Sequence, residues 1–178
     1  MYCDSIFGPI KQWGFLVENI DEAMECWVDQ LGVGPWWGFR NVAVTSHFQG
    51  TTSDVKMDVG LAFQSGVQIE LIQQTNDALS PYSAFYETDA TQTLHQIAYF
   101  AKDIDAAVSR AEGIGMQEVG SITTLLGTRY VYMDSPAMRG LVIELMEIHD
   151  GFEEEYERNA TEAASWDGSN PYRLIALP

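Results

Sequence analysis

Two glutamates occur inside strand-like apolar segments at matched places in the chain. Glu70 lies within VQIELI and Glu144 within LVIELM, each four residues after a glycine. A buried carboxylate is costly unless it is paired, hydrogen-bonded or bound to a cation. Alternate residues of a strand share a face, so the apolar neighbours belong to the core and both glutamates face a polar cavity. A sheet edge open to water explains one such glutamate, but explains two at matched places less well.

The sequence contains two similar copies of the segments that would position these glutamates. The segments GFLVENIDEA at 14–23 and AYFAKDIDAA at 98–107 are similar, as are GVQIEL at 66–71 and GLVIEL at 140–145. Matched segments in the same order indicate a duplicated supersecondary unit. Each unit is predicted to hold a strand, an amphipathic helix and three further strands, which gives an α+β fold class.

Hydrophobic periodicity predicts the bounds of these elements. The strands are expected at 11–18, 40–48, 56–64 and 67–74, and again at 95–102, 117–124, 129–134 and 140–147. The helix after the first strand of each unit is expected to end at Gly32 or Gly113. The chain thus divides into a module at 8–75, a linker at 76–93, a module at 94–149 and an acidic extension at 150–178 that packs back on the body. Aromatic residues in the linker suggest a short helix.

The first strand of each unit carries a glutamine with a small residue next to it on the same face. Gln12 is followed by Gly14, and Gln96 is followed by Ala98. Small residues there leave room above the sheet, as a concave ligand-holding surface requires. The opposite face of each strand is bulky and suits packing against the helix.

The charge balance limits the partners. Nine basic residues and 26 acidic residues give a net charge of −17. Such a surface repels phosphate backbones, which argues against a nucleic-acid partner. An anionic ligand would need a local basic patch, for which the candidates are Lys11, Arg40, Arg129 and Arg139.

Targeting signals and cysteines bear on the compartment. No apolar run approaches about 18 residues, so no membrane span is expected. The first residues lack a basic stretch followed by a long apolar one, so no secretory signal is expected. Cys3 and Cys26 make no disulfide framework, which favours a cytoplasmic protein.

The duplicated pattern resembles the vicinal oxygen chelate superfamily, also called the glyoxalase/bleomycin resistance/dioxygenase superfamily. The phrases LVENIDEAMECWVDQLGVGPW and HQIAYFAKDIDAAV look most like its glyoxalase-like and methylmalonyl-CoA epimerase-like branch. The resemblance covers about residues 8–148. It implies two tandem βαβββ modules whose curved mixed sheets enclose a cavity with a metal site. It also implies a small-molecule substrate and a homodimer.

The metal positions of this family fall on the first and last strand of each module. The residues of this sequence that match these metal positions are Gln12, Glu70, Gln96 and Glu144. Histidine is usual at the third position, so Gln96 departs from the pattern, and His95 is the alternative if a β-bulge re-aims it. The resemblance implies a divalent ion (Mg, Mn, Ni, Co or Zn) as the candidate cofactor. Two carboxylates and two amides favour the harder ions, because an amide is a weaker ligand than imidazole for Zn, Ni or Co.

Without a metal, two carboxylates in one cavity would repel each other, and one would acquire a raised pKa suited to acid or base catalysis. Glu144 and Glu70 are therefore the candidate catalytic residues. The candidate substrate-binding residues are Trp36, Trp37, His47, Tyr132 and Arg129. Packing explains the tryptophans equally, and a plain surface position explains His47 and Arg129.

Three functions compete. The first is a glyoxalase-like isomerase, epimerase or lyase that removes a proton next to a carbonyl of a small substrate, with or without a metal. The second is a metal-free small-molecule-binding protein of the bleomycin-resistance type. The third, a ring-cleaving dioxygenase, needs two histidines and a carboxylate for iron. It ranks last, because only His95 lies near a ligand position.

Overall fold

The computed structural model describes residues 5–177, and its elements follow the order that the duplication predicts. The first half contains β1 (Gln12–Val17), α1 (Ile20–Leu31), β2 (Trp36–Phe48), β3 (Thr51–Gln64) and β4 (Val67–Gln74). The second half contains β5 (Gln92–Ala101), α2 (Ile104–Gly113), β6 (Gln117–Thr124), β7 (Arg129–Asp134) and β8 (Val142–Glu147). A 3₁₀-helix (Ser83–Glu87) follows β4, and α3 (Phe152–Ala164) and β9 (Tyr172–Ala176) follow β8. The α+β class with two βαβββ modules is confirmed.

Three strand starts differ from the predicted bounds by three residues or more. β2 begins at Trp36 and β3 at Thr51, whereas starts at 40 and 56 were expected. The two strands form a long hairpin in which Thr51 pairs with Phe48. Polar residues at this exposed end conceal the apolar alternation that would mark the start of β3. β5 likewise begins at Gln92, three residues before the expected start.

Eight of the strands close into a barrel. They run in the order β3-β4-β1-β5-β8-β7-β6-β2, and β2 pairs with β3 to complete the circle. The two modules meet twice within one chain, where β1 pairs antiparallel with β5 and where β2 pairs antiparallel with β6. β9 lies outside the circle, parallel to the start of β2. The first and last strands of both modules are therefore neighbours, in the order β4-β1-β5-β8.

The helices cover the outside of the barrel. Asn19 caps α1 by accepting hydrogen bonds from the backbone of Asp21 and Glu22. The apolar face of α1 packs on the outward face of β1, and α2 covers the outward faces of β5, β7 and β8 in the same way. The bulky strand faces thus pack as expected, except that Trp13 is 44% exposed.

Both ends of the barrel are covered. At one end the 3₁₀-helix buries Tyr82 and Phe85 in the interior core. At the other end Tyr156 of α3 packs edge-on against Phe63 and Phe100. The Tyr156 hydroxyl donates to the Lys11 carbonyl at 2.6 Å. The C-terminal residues therefore complete the enclosure of the barrel interior.

Two smaller features complete the description of the fold. None of the helices within residues 5–177 is long and apolar enough to cross a membrane. Cys26 is a free, exposed thiol. Cys3 lies outside the described residues.

Candidate active site in the barrel

The strand register places four of the sequence-predicted residues in two rows. Glu70, Gly14 and Gln96 are successive partners across β4, β1 and β5. Gln12, Ala98 and Glu144 are successive partners across β1, β5 and β8. A small residue stands at the centre of each row. A Cβ atom on Gly14 would lie 2.6 Å from Cδ of Gln96, so the missing side chain provides the space that this amide occupies.

The Gln12 amide joins the two carboxylates. One of its terminal atoms lies 3.2 Å from Oε2 of Glu70 and 3.2 Å from Oε2 of Glu144. If that atom is nitrogen, it donates to both carboxylates. If it is oxygen, the Gln12 nitrogen donates to Oε1 of Gln68 at 2.9 Å, and three oxygen atoms face one another. The two glutamates therefore belong to one site.

Gln68 is a member of this site that the sequence analysis missed. It pairs with Gln12 in the sheet register and is 8% exposed. Its signal was available, because in VQIEL it is two residues from Glu70 and so shares its strand face. The site consequently holds three amides and two carboxylates.

A β-bulge brings His95 to the same side as Gln96. Gly14 pairs with Gln96 but Phe15 pairs with Leu94, so His95 is the extra residue at this register shift. Its Nδ1 contacts Oε1 of Gln96, and its Nε2 lies 3.2 Å from the carbonyl of Pro81. Simple alternation along the strand would have turned this ring away from the site. The predicted β-bulge is thus present, and a role of His95 as a metal ligand stays a prediction.

The contacts of His95 govern the orientation of the Gln96 amide. In one orientation Nε2 of Gln96 donates to Oε2 of Glu70 at 3.2 Å. Burial lowers the pKa of His95, which favours the neutral ring. A neutral ring that donates to the Pro81 carbonyl has an acceptor at Nδ1, which requires the amide nitrogen of Gln96 there. The amide oxygen then faces Glu70.

The two carboxylates sit in an environment that disfavours their charge. Burial raises the pKa of Glu144 to about 7, although a hydrogen bond from Tyr132 opposes the shift. Burial and the charge of Glu144 raise the pKa of Glu70 well above its ordinary value. Glu144 is 3% exposed, whereas Glu70 is half-buried. None of the ion pairs formed by residues 5–177 involves either group. The pair therefore holds a proton more readily than isolated glutamates do.

Phenol groups surround the carboxylates and stay protonated. The Tyr82 and Tyr132 hydroxyls are 2.7 Å apart, and Tyr132 is the sheet partner of Glu144. Burial is the largest cause that raises the pKa of Tyr82, Tyr130 and Tyr132, and the charge of Glu144 contributes in each case. These groups can therefore donate hydrogen bonds at neutral pH.

The residues present fit a hard divalent ion. With the amide oxygens turned inward, Gln12, Gln96 and the two glutamates offer an all-oxygen donor set, and an ion would neutralise the buried negative charge. No group of three or more histidine, cysteine or acidic side chains within residues 5–177 is placed to hold a metal. The amides are therefore necessary members of any such site.

A cavity of about 420 Å3 opens beside the carboxylates. Its lining includes His95 and Tyr132, which contact Gln96 and Glu144 respectively. The carboxylates and amides themselves do not line it. A ligand in this cavity thus meets the imidazole and the phenol before it reaches the carboxylates.

The other predicted site residues lie elsewhere, apart from Tyr132. Trp36 is fully buried outside the barrel among the residues that pack on α1. Trp37 stacks under the Arg173 guanidinium and against Phe63. His47 contacts Thr52 on the surface of the hairpin. Arg129 donates to Asp105 at 3.0 Å. None of these four residues lines the cavity.

Comparison with known proteins agrees with this fold. Residues 11–132 match the profile of the Glyoxalase/Bleomycin resistance protein/Dioxygenase superfamily. A hypothetical protein from Bacillus halodurans is similar in structure at 16% identity and a TM-score of 0.60, with 80% of this chain and 95% of that chain covered. Comparison with curated protein sequences gives no match.

Methylmalonyl-CoA epimerases are also structurally similar to the chain. The Mycobacterium tuberculosis enzyme has 21% identity and a TM-score of 0.57, with 86% of this chain and 97% of that chain covered. The Streptomyces coelicolor enzyme has 17% identity and a TM-score of 0.52, with 78% of this chain and 95% of that chain covered. At these identities the likeness concerns the fold.

Proposed function

Because the chain belongs to the glyoxalase/bleomycin resistance protein/dioxygenase superfamily, we propose that it is an isomerase, epimerase or lyase that removes a proton next to a carbonyl group. One observation carries this proposal. Both carboxylates contact the Gln12 amide inside the barrel. Glu144 also contacts Tyr132, which lines a cavity large enough for a small molecule. Such a pair can accept a proton from carbon and return it.

Each group has a distinct role in the proposed reaction. Glu144, whose pKa burial raises to about 7, takes the proton from the carbon next to the carbonyl. The C–H electron pair forms a C=C bond while the carbonyl π pair moves to the oxygen, and the Tyr132 hydroxyl, released from Glu144 as that group takes the proton, donates a hydrogen bond to this oxygen. Return of the proton to the other face, or to the neighbouring carbon, completes an epimerisation or an isomerisation. Loss of a leaving group from the same intermediate gives a lyase.

A divalent ion would add Lewis-acid stabilisation of the developing negative oxygen. Gln12, Glu70, Gln96 and Glu144 are the residues that would hold it. Titration of chelator-treated protein with Mn2+ and Mg2+ tests this part. One ion per chain is expected, and binding should be lost in Glu70→Gln but retained in the surface control Glu118→Gln. Equal binding by both variants would place the ion elsewhere.

Proton removal is tested by solvent exchange. The protein is incubated in deuterated water with small carbonyl compounds, and deuterium next to the carbonyl is followed by NMR. Enzyme-dependent exchange is expected, and Glu144→Gln should reduce it by at least about a hundredfold, as loss of an acid–base group does. Exchange that survives both Glu144→Gln and Glu70→Gln would refute the assignment of these groups.

A second function, metal-free binding of small molecules, is favoured by one specific observation. The cavity lining is largely apolar and does not include the carboxylates. A binding protein would show tight ligand association without solvent exchange in any ligand that it binds. The exchange experiment and a calorimetric titration together separate the two functions.

The proposal includes a cytoplasmic homodimer. Leu125 and Leu126 in the turn between β6 and β7 are 83% and 94% exposed, as side chains at a contact between proteins often are in the separated chain. Sedimentation of the purified protein tests the dimer. A Leu125→Ser, Leu126→Ser double variant should dissociate it.

A further inference from the structure

The cavity offers almost no charge to a ligand. Phe48, Phe85, Val119 and Val142 are among its lining residues. Asp134 is the one charged side chain among the lining residues that the structure describes, and it is acidic. Among the polar lining residues, His95 and Tyr132 contact Gln96 and Glu144 of the site. The cavity is thus largely apolar and carries two hydrogen-bonding groups on the side toward the carboxylates.

The basic residues that could attract an anion are used elsewhere. Arg40 donates to Asp58 at 3.0 Å. Lys11 lies over the Phe100 ring at 5.1 Å, at the end of the barrel that α3 covers. Arg129 is held by Asp105, as described above. Of the four candidates for a basic patch, only Arg139 is adjacent in the chain to a lining residue, Gly140. The side chain of Arg139 itself does not line the cavity.

We infer that the substrate is an uncharged, largely apolar carbonyl compound, and that it is neither a coenzyme A thioester nor another anion; this inference rests on the proposed function. The apolar body of the compound packs on the aromatic and aliphatic lining, where its burial is favourable. Its carbonyl oxygen reaches Tyr132. A carboxylate or phosphate in the same cavity would lose its hydration and lie near Asp134 without a compensating cation.

Paired ligands test this inference. Calorimetric titrations compare cyclohexanone, 1-tetralone and a tricyclic ketone with the same ketones carrying a ring carboxylate, and with propionyl-CoA. At least one uncharged ketone should bind more than about tenfold more tightly than its carboxylate partner. Failure of every uncharged ketone to bind below about 1 mM would overturn the inference. Tighter binding of a carboxylate or of propionyl-CoA would overturn it as well.

A substitution in the cavity wall tests whether the preference for uncharged ligands arises in this cavity. Asp134→Asn removes the acidic charge, so it should improve binding of the carboxylate ligand several-fold relative to binding of the uncharged ketone. Asp29→Asn, on the exposed surface of α1, is the matched control and should change neither. An unchanged ratio in Asp134→Asn would place the ligand outside this cavity and overturn the inference.

Binding and exchange are measured separately, so the two proposals can fail separately. An uncharged ketone that binds without solvent exchange would refute the proposed function and support the inference on ligand class. A carboxylate or thioester that binds and exchanges would support the proposed function and overturn the inference. Both binding and exchange are measured on the protein with all 178 residues.

Discussion

Among the individual residues, Gln12 is central to the site, because one terminal atom of its amide contacts both carboxylates. An amide presents a donor on one side and an acceptor on the other. Turned one way, it donates to two carboxylates that repel each other. Turned the other way, it adds an oxygen ligand for a cation. The same side chain therefore suits the site with or without an ion.

Replacement of Glu144 by Gln should stabilise the metal-free protein at pH 8. The folded protein raises the pKa of this group from 4.5 to about 7. A carboxyl group with a raised pKa contributes stability below about pH 4.5 and loses that contribution as the pH rises through about 7. The neutral amide avoids the loss, so a gain on the order of 3 kcal/mol is expected at pH 8 and none at pH 4.

Thermal unfolding of the Glu144→Gln protein in chelator at both pH values measures this gain. Glu118→Gln, at an exposed position away from the site, is the control for the loss of a carboxylate. A Glu144→Gln protein that is equally or less stable at pH 8 would contradict the raised pKa.

Substitution of Gly14 by Ala should disrupt the site from within the sheet. The new Cβ atom would lie 2.6 Å from Cδ of Gln96, whose side chain is fully buried and must shift. A cost of about 1–3 kcal/mol in stability is expected, together with a loss of Mn2+ affinity. Gly113→Ala, at the end of α2 where a Cβ meets nothing within 4 Å, is the control. Unchanged Mn2+ affinity in Gly14→Ala would show that Gln96 is not a ligand.

Among the elements, the pairing of β1 with β5 decides which side chains enter the barrel. The strand bounds 67–74, 117–124 and 129–134 were predicted as the structure has them, because their apolar patterns are local. The bulge at His95 was not predictable, because it depends on how two strands far apart in the chain align. Sequence thus predicted four residues that share the candidate site on regular strands, missed Gln68 on β4, and left His95 open at the irregular position.

Tyr156 is expected to anchor α3 to the end of the barrel. Its hydroxyl donates to the Lys11 carbonyl at 2.6 Å and accepts from the Gln68 backbone at 3.2 Å. Tyr156→Phe removes these bonds, although the Gln68 N–H still donates to the Lys11 carbonyl at 3.0 Å, and should cost about 0.5–1.5 kcal/mol in the free energy of unfolding. Tyr172→Phe removes a hydroxyl from a side chain that is 45% exposed and should cost less than about 0.5 kcal/mol. Urea unfolding of both variants measures the difference, and equal costs would contradict the anchoring role.

For the molecule as a whole, closure of the barrel is what isolates the site. The duplication predicted two similar modules, but β2 joins β6 through pairings that no local pattern reveals. Closure also explains why Trp36 and Trp37 lie away from the cavity. The start of β2 is paired with β9 on the outside, and only its later half faces the second module. Trp36 and Trp37, which follow a turn, therefore pack within the protein and do not line the cavity.

The central claim is that two carboxylates inside the barrel share one site and that at least one has a strongly raised pKa. Titration of 13C-glutamate-labelled, chelator-treated protein by NMR measures it without any substrate. A glutamate carboxyl signal that titrates near pH 7 and disappears in Glu144→Gln is the result that the structure predicts. If every glutamate titrates close to its ordinary value in the folded protein, the claim is contradicted.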